Sequence, residues 1–203
     1  MSTVSIVVST FGPRSVWDPL AARAVASAEA QTVPVEIVRH HIDDPDQRVC
    51  GRARNEAIAR ASGEWLVILD ADDELAPGYV AAMEPHLTPD AVLMPAVSAR
   101  GRDGWTPPRV LDSQRSTASR MRQIVIGAVF PRAQWEREPF REDLPWGEDC
   151  AFWLGCELAG LRFVAVPDAV YRMDRRPDGR RKFKGRDAMW AEIYRERMGR
   201  KAA

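Results

Sequence analysis

The stretch GEWLVILDADDELAPG, residues 63–78, decides how this chain is read. Five apolar residues, Trp65 to Leu69, are followed by four acids in five positions, Asp70 to Glu74. An apolar run of this length between Gly63 and an acidic turn reads as a strand buried on both faces, as central parallel strands usually are. The acids at its end repel one another. Two unit charges about 4 Å apart, at an effective dielectric near 20, cost about 4 kcal/mol. Solvent, a basic neighbour or a metal ion must offset that repulsion.

Working outward, Val4 to Val8 is a β-rich run ended by Phe11-Gly12-Pro13. Asp18-Pro19 has the form of a helix start, with Asp as N-cap and Pro at the first helical position. The Ala-rich stretch to Gln31 continues that helix, and Pro34 to Ile42 reads as a second strand. Gly51 to Ser62 is helical, with Ala53, Ala57, Ile58 and Ala61 on one stripe and Gly63 as its C-terminal cap. The first 75 residues therefore read β-α-β-α-β. That rhythm predicts an α/β fold: a single domain with a mostly parallel central sheet and helices on both faces. Ligands in such sheets bind beyond the carboxyl ends of the strands. Phe11, Asp43 and Asp70 all fall at or just past such ends.

The second half is more mixed. Pro77 opens a short helix, Ala91 to Ala99 reads as a strand, and 101–119 reads as a polar loop. Ile124 to Phe130 reads as a strand. Gly147 to Ala159 reads as a helix capped by Gly160, and Phe163 to Met173 as one or two strands broken by Pro167. A basic, flexible segment and a last helix are expected after that. The domain assignment is 1–173, with 174–203 as a basic segment and C-terminal helix of the same domain.

The totals exclude several classes. The chain has 203 residues, 45% of them hydrophobic, and a formal net charge of zero. That balance gives no electrostatic case for nucleic acid or an anionic membrane, although residues 172–187 carry a local net charge of about +5. That stretch offers no interleaved aromatics apart from Phe183, so a nucleic-acid role is not expected. Cys50, Cys150 and Cys156 show no CxxC spacing, which argues against a disulfide framework or structural zinc. No stretch approaches eighteen apolar residues, and MSTVSIVVSTFG lacks a basic n-region. The expectation is a soluble cytoplasmic protein with no membrane span.

Two acidic clusters carry the chemistry. Asp70-x-Asp72 at a strand end offers oxygen ligands to a hard cation, Mg2+ or Mn2+, that leaves positions open for water and phosphate. A solvated acidic turn would have the same pattern. The second cluster lies in REDLPWGEDCAFW, residues 141–153. Glu148 and Asp149 head the amphipathic helix, where the N-terminal dipole favours an ionised carboxylate. Asp149 is either a cap or a general base positioned for an attacking hydroxyl. Trp146 beside it offers a wall for a sugar or ring, or ordinary packing.

Together these residues resemble the GT-A glycosyltransferases, in particular the inverting family 2. The likeness runs from VSIVVSTFG through SAEAQTVPVEIV and ARNEAIARASGEWLVILDADDEL to GEDCAFWLGCELAGLRFVAVPDAVYRM. It implies a nucleotide-diphosphate sugar donor, a hydroxyl acceptor and a divalent cation. It implies Ser9, Thr10, Phe11 and Asp43 or Asp44 at the nucleotide base, and Arg54 and Asn55 near the nucleotide. Asp72 is implied as metal ligand, Asp70 as nearer the ribose while also able to ligate, Glu148 as a binding residue and Asp149 as base. HHIDDPDQ replaces the family's Asp-Asp-Gly-Ser type of turn. VYRMDRRPDGRR offers Asp174 where many members have a late His ligand, and Arg172 as a match for diphosphate oxygens. Two rivals are a non-catalytic nucleotide-sugar-binding module and, further off, a metal-dependent phosphatase.

Overall fold

The computed structural model describes residues 3–44, 50–101, 104–110, 124–174 and 186–201. The elements in chain order are β1 (Val4–Phe11), α1 (Arg14–Glu29), β2 (Glu36–Ile42), α2 (Cys50–Ile58), β3 (Trp65–Ile68), β4 (Glu74–Leu75) and α3 (Tyr79–Met83). Then come β5 (Ala91–Gly101), β6 (Gly104–Trp105), β7 (Val129–Pro131), α4 (Arg132–Arg137), α5 (Glu148–Leu158), β8 (Arg162–Met173) and α6 (Arg186–Lys201).

The strands form one sheet in the order β2-β1-β3-β7-β5-β8-β4, with β6 paired to β5. β1 runs parallel to β2 and β3, and β5 parallel to β8. β7 opposes both β3 and β5, so five strands share one direction. β1 and β3 are apolar on both faces, and Ile6, Val7, Val8 and Leu66 to Leu69 have no exposed surface. Burying each such side chain contributes roughly 1.5–3 kcal/mol, and this stripe anchors the core.

The order explains the helices. From β1 the chain crosses through α1 to β2 on one side, then returns through α2 past β1 to β3. Right-handed crossovers in opposite senses place α1 and α2 on opposite faces. The reversal leaves a crevice at the carboxyl ends of β1 and β3.

Three local readings are corrected, and a fourth, left open between one strand and two, resolves as one. Helix α1 starts at Arg14, not at Asp18-Pro19: Pro13, at φ −64°, accepts bonds from the N–H groups of Val16 and Trp17. Pro19 lies inside the helix, and Asp18 pairs with Arg39 instead of capping. Gly63 is no left-handed cap; a Cβ there would lie 2.7 Å from the Thr3 carbonyl oxygen, so close passage of backbone past β1 requires glycine. The 124–130 strand shrinks to Val129–Pro131, because Ala128 N–H turns back to Val125 O and Gly127 O accepts the Tyr79 hydroxyl. Residues 162–173 form one strand: Pro95 pairs with Val166 and Ala96 with Val170, so Pro167 to Ala169 bulge out together. A bulge tolerates a proline that has no N–H to give the ladder.

In the 101–119 region, β6 pairs with β5, and Val97 bridges Arg109; 102–103 and 111–123 lie outside the described residues. So does most of the basic segment, 175–185. Helix α6 packs on α5, and its Trp190 and Ile193 join the common core. No helix of the described residues is long and apolar enough to cross a membrane.

Candidate active site

The site grows from three strand ends and the head of α5. Helix α2 lies against the 141–142 segment; Gly51 permits this, since a Cβ there would strike the Arg141 carbonyl oxygen. One turn on, α2 presents Arg54, which is 5% exposed. Its Nη1 donates to Glu148 Oε1, and its Nη2 donates to Asp70 Oδ1 at 3.0 Å. Its guanidinium also lies 5.7 Å from the Phe140 ring centroid. One buried cation thus joins the acidic turn after β3 to the first residue of α5.

Asp149 follows at once, half-buried, with Oδ1 accepting the Cys150 N–H at 2.7 Å. Burial, and then the charge of Glu148, push its carboxyl up to about 6, against the pull of Arg54 and the Cys150 N–H. It is therefore mainly ionised at neutral pH while holding its proton far more readily than a free aspartate.

Each of Asp70, Asp72 and Asp73 places an oxygen within 4.8 Å of the others'. Asp73 is 4% exposed. It accepts the Tyr171 hydroxyl at 2.8 Å and the Asp174 N–H at 2.8 Å. Burial, followed by the charges of Asp70 and Asp72, pushes it up to about 8. This donor set is all carboxylate oxygen with surplus negative charge, which fits a hard divalent cation such as Mg2+ or Mn2+. Behind the turn, Arg23 donates to the Asp72 carbonyl oxygen at 2.7 Å and pairs with Glu74 at 3.1 Å and Asp174 at 2.8 Å. Arg100 also meets Glu74 and Asp174, each at 3.3 Å. Asp174 is thus held between two arginines, outside the three-acid group.

At the other strand ends, Thr10 is buried, and its hydroxyl lies 2.9 Å from His41 Nδ1. His41 Nε2 lies 2.9 Å from Asp43 Oδ1, and Arg14 approaches the same oxygen at 3.4 Å. The His41 bond, with Arg14 beside it, holds the Asp43 carboxyl below the usual range. Asp44 faces Arg52 at 3.2 Å. Ser9 lies opposite His40 in the β1–β2 register, and the Phe11 ring rests 6.1 Å from that of Trp17. Trp146 is half-buried just ahead of α5.

Two of the expected residues point elsewhere. Asn55 spends its amide on the 135–142 segment: it donates to Phe140 O and Glu142, and accepts from Trp135 Nε1 and Phe140 N–H. It shapes the approach to α5. Arg172 lies over the Trp105 ring, at 5.7 Å from its centroid. The sequence reading passed over Asp73, Arg23 and His41. Asp73 had one signal, as the third acid of the run; Arg23 and His41 had none, since both act through partners distant in the chain.

Comparison with known proteins fits this geometry. TarS residues 1–349 from S. aureus, solved in complex with UDP, superpose with a TM-score of 0.67 at 17% identity, over 86% of this chain and 61% of that one. A mannosyltransferase from Pyrobaculum calidifontis, solved with GDP-Man and Mn2+, gives 0.68 at 20% identity, over 98% of this chain and 64% of that one. The chain spans about three fifths of the length of these neighbours, and at such identities the likeness is one of fold, that of the GT-A glycosyltransferases. No curated protein matches the chain. The profile described as glycosyl transferase family 2 matches residues 22–143, more than half of the sequence, and the chain belongs to that family.

Proposed function

We propose that the chain is a metal-dependent inverting transferase, moving a sugar from a nucleotide-diphosphate donor to an acceptor hydroxyl. One observation carries this reading: the Arg54 guanidinium ties Asp70 to Glu148, joining the acidic turn to the head of the helix that bears Asp149. The neighbours' ligands, UDP in one and GDP-Man with Mn2+ in the other, nominate uridine and guanosine diphosphate sugars as first donors to try.

Asp72, Asp70 and Asp73 would hold a Mg2+ or Mn2+ ion, whose chemistry there is to stabilise charge on a departing diphosphate. The Thr10–His41–Asp43 chain and Arg14 hold a carboxylate at the end of β2, where a nucleobase N–H group can donate to it. Asp149 accepts the proton of the acceptor hydroxyl. The freed oxygen attacks the anomeric carbon from the face opposite the diphosphate, whose bond to that carbon breaks, and one displacement inverts the centre. A base with a carboxyl near 6 suits this task at neutral pH, since it is ionised yet basic enough to take a proton in flight. Arg54, paired with both Glu148 and Asp70, offsets part of the negative charge that these two acids place beside Asp149.

Calorimetric titration of UDP and GDP, with and without Mn2+, tests the donor half. Affinity that rises with the metal and falls in Asp72→Asn supports the proposal. Equal binding of both nucleotides with and without metal, or none at all, defeats it.

A further inference from the structure

Beside the end of β8, an open groove of about 380 Å3 is lined chiefly by Ser98, Trp105, Pro107, Pro108, Val170 and Arg172. Most of this wall is apolar, and the Ser98 hydroxyl is already given to the Thr106 carbonyl at 2.6 Å. Arg172 is its charged member. Three arginines gather at this end of the sheet, and two of them, Arg23 and Arg100, are neutralised by Glu74 and Asp174. Arg172 meets no carboxylate among the described residues. Its guanidinium rests over Trp105, and Arg100 shares that ring at 4.7 Å from the centroid. Stacking on an indole fixes a guanidinium in place while leaving its in-plane N–H donors unspent.

The strand's alternation separates this groove from the acid cluster. Tyr171 is fully buried and donates to Asp73. Successive residues of a strand face opposite sides, so Arg172, in register with Ser98, faces away from that contact.

We infer that this groove is a binding subsite for an oxyanion, a phosphate or carboxylate on a small molecule, with Arg172 as its binding residue. The site stands on the groove and the Arg172–Trp105 contact, independently of the transferase reading. A guanidinium meets either group through two parallel N–H bonds. The prolines and Val170 offer apolar contact to the carbon frame beside the charge.

The test is an NMR titration of the full chain, 15N-labelled, at constant ionic strength and in EDTA so that the acid cluster holds no metal. The probes are glycerol 3-phosphate, glucuronate and glucose, and the signal is the Trp105 indole N–H, assigned by its loss in Trp105→Phe. A saturable shift with glycerol 3-phosphate, glucuronate or both is expected, and none with glucose. Which anion binds distinguishes phosphate from carboxylate. Arg172→Gln should weaken the binding at least tenfold, Arg172→Lys by less, and Asp72→Asn should leave it unchanged. The inference is overturned by no saturable shift with either anion, by an equal response to glucose, or by undiminished affinity in both Arg172 variants. Anion binding without metal-dependent nucleotide binding would keep the groove and sink the donor reading; the reverse pattern would do the opposite.

Discussion

The chain has two acidic clusters, and they are balanced by different means. At the head of α5, Glu148 and Asp149 lie beside Arg54, a cation built into the protein. In the turn after β3, Asp70 shares Arg54, but Asp73 is buried among acids with a tyrosine hydroxyl and a backbone N–H for company. The carboxyl at the first site rises to about 6 and at the second to about 8. A fixed cation leaves a carboxylate ionised and ready near neutral pH. Where no cation is fixed, the surplus charge calls for an exchangeable one.

The largest effect that would break this contrast is expected at the base. Asp149→Asn should cut turnover about 10²- to 10⁴-fold with donor affinity largely kept, as read by steady-state rates and calorimetry. Unchanged turnover would remove Asp149 from the mechanism. Next comes the shared cation. Arg54→Met strands Glu148, which is 6% exposed, and should cost about 3–5 kcal/mol in urea unfolding. A loss under about 1 kcal/mol would mean that Arg54 is not what balances the first cluster.

The turn itself gives a test of sign. Asp73 is raised from 3.8 to about 8, so folding takes up a proton between those values. Its stabilising share in metal-free protein is full below about pH 4 and is lost as pH rises through 8. Asp73→Asn should flatten that decline in thermal melts run in EDTA, and Mn2+ should reverse it in the parent chain. A parent whose metal-free stability climbs over that range would contradict the burial assigned to Asp73.

A smaller effect sharpens the first cluster. With Asp149 near 6, the rate should fall as pH drops below 6, reaching about a tenth of its plateau at pH 5. An acid limb centred near 4 would show an unperturbed carboxylate. The smallest effect comes from an exposed pair that belongs to neither cluster. Asp18→Ala, losing its contact with Arg39, should change stability by no more than about 1 kcal/mol.

What the sequence made legible follows the range of the forces involved. The β-α-β-α-β alternation is written in neighbouring residues, because strand and helix periods are local, and Gly160 caps α5 at φ +89° as its position implied. The acids at 70–74 and 148–149 were visible because charge beside an apolar run is costly wherever it occurs. The burial of Asp73 was not visible, since it depends on Tyr171, 98 residues away. The work of Asn55 was hidden for the same reason: its partners Trp135 and Phe140 come from another part of the chain. The start of α1 was misplaced because Asp18-Pro19 carries a helix-start signal that Pro13 pre-empts one turn earlier.

The corner at Pro167 to Ala169 works as a slip joint in β8. Upstream, the strand aligns with residues 91–95 of β5, and downstream with 96–99. A residue gained or lost at that corner can be taken up in the bulge instead of being passed along the ladder. The tip bearing Tyr171 and Arg172 therefore keeps its two-sided grip, one side chain on the acids and one on the tryptophan, under length changes that would throw an unbroken strand out of phase.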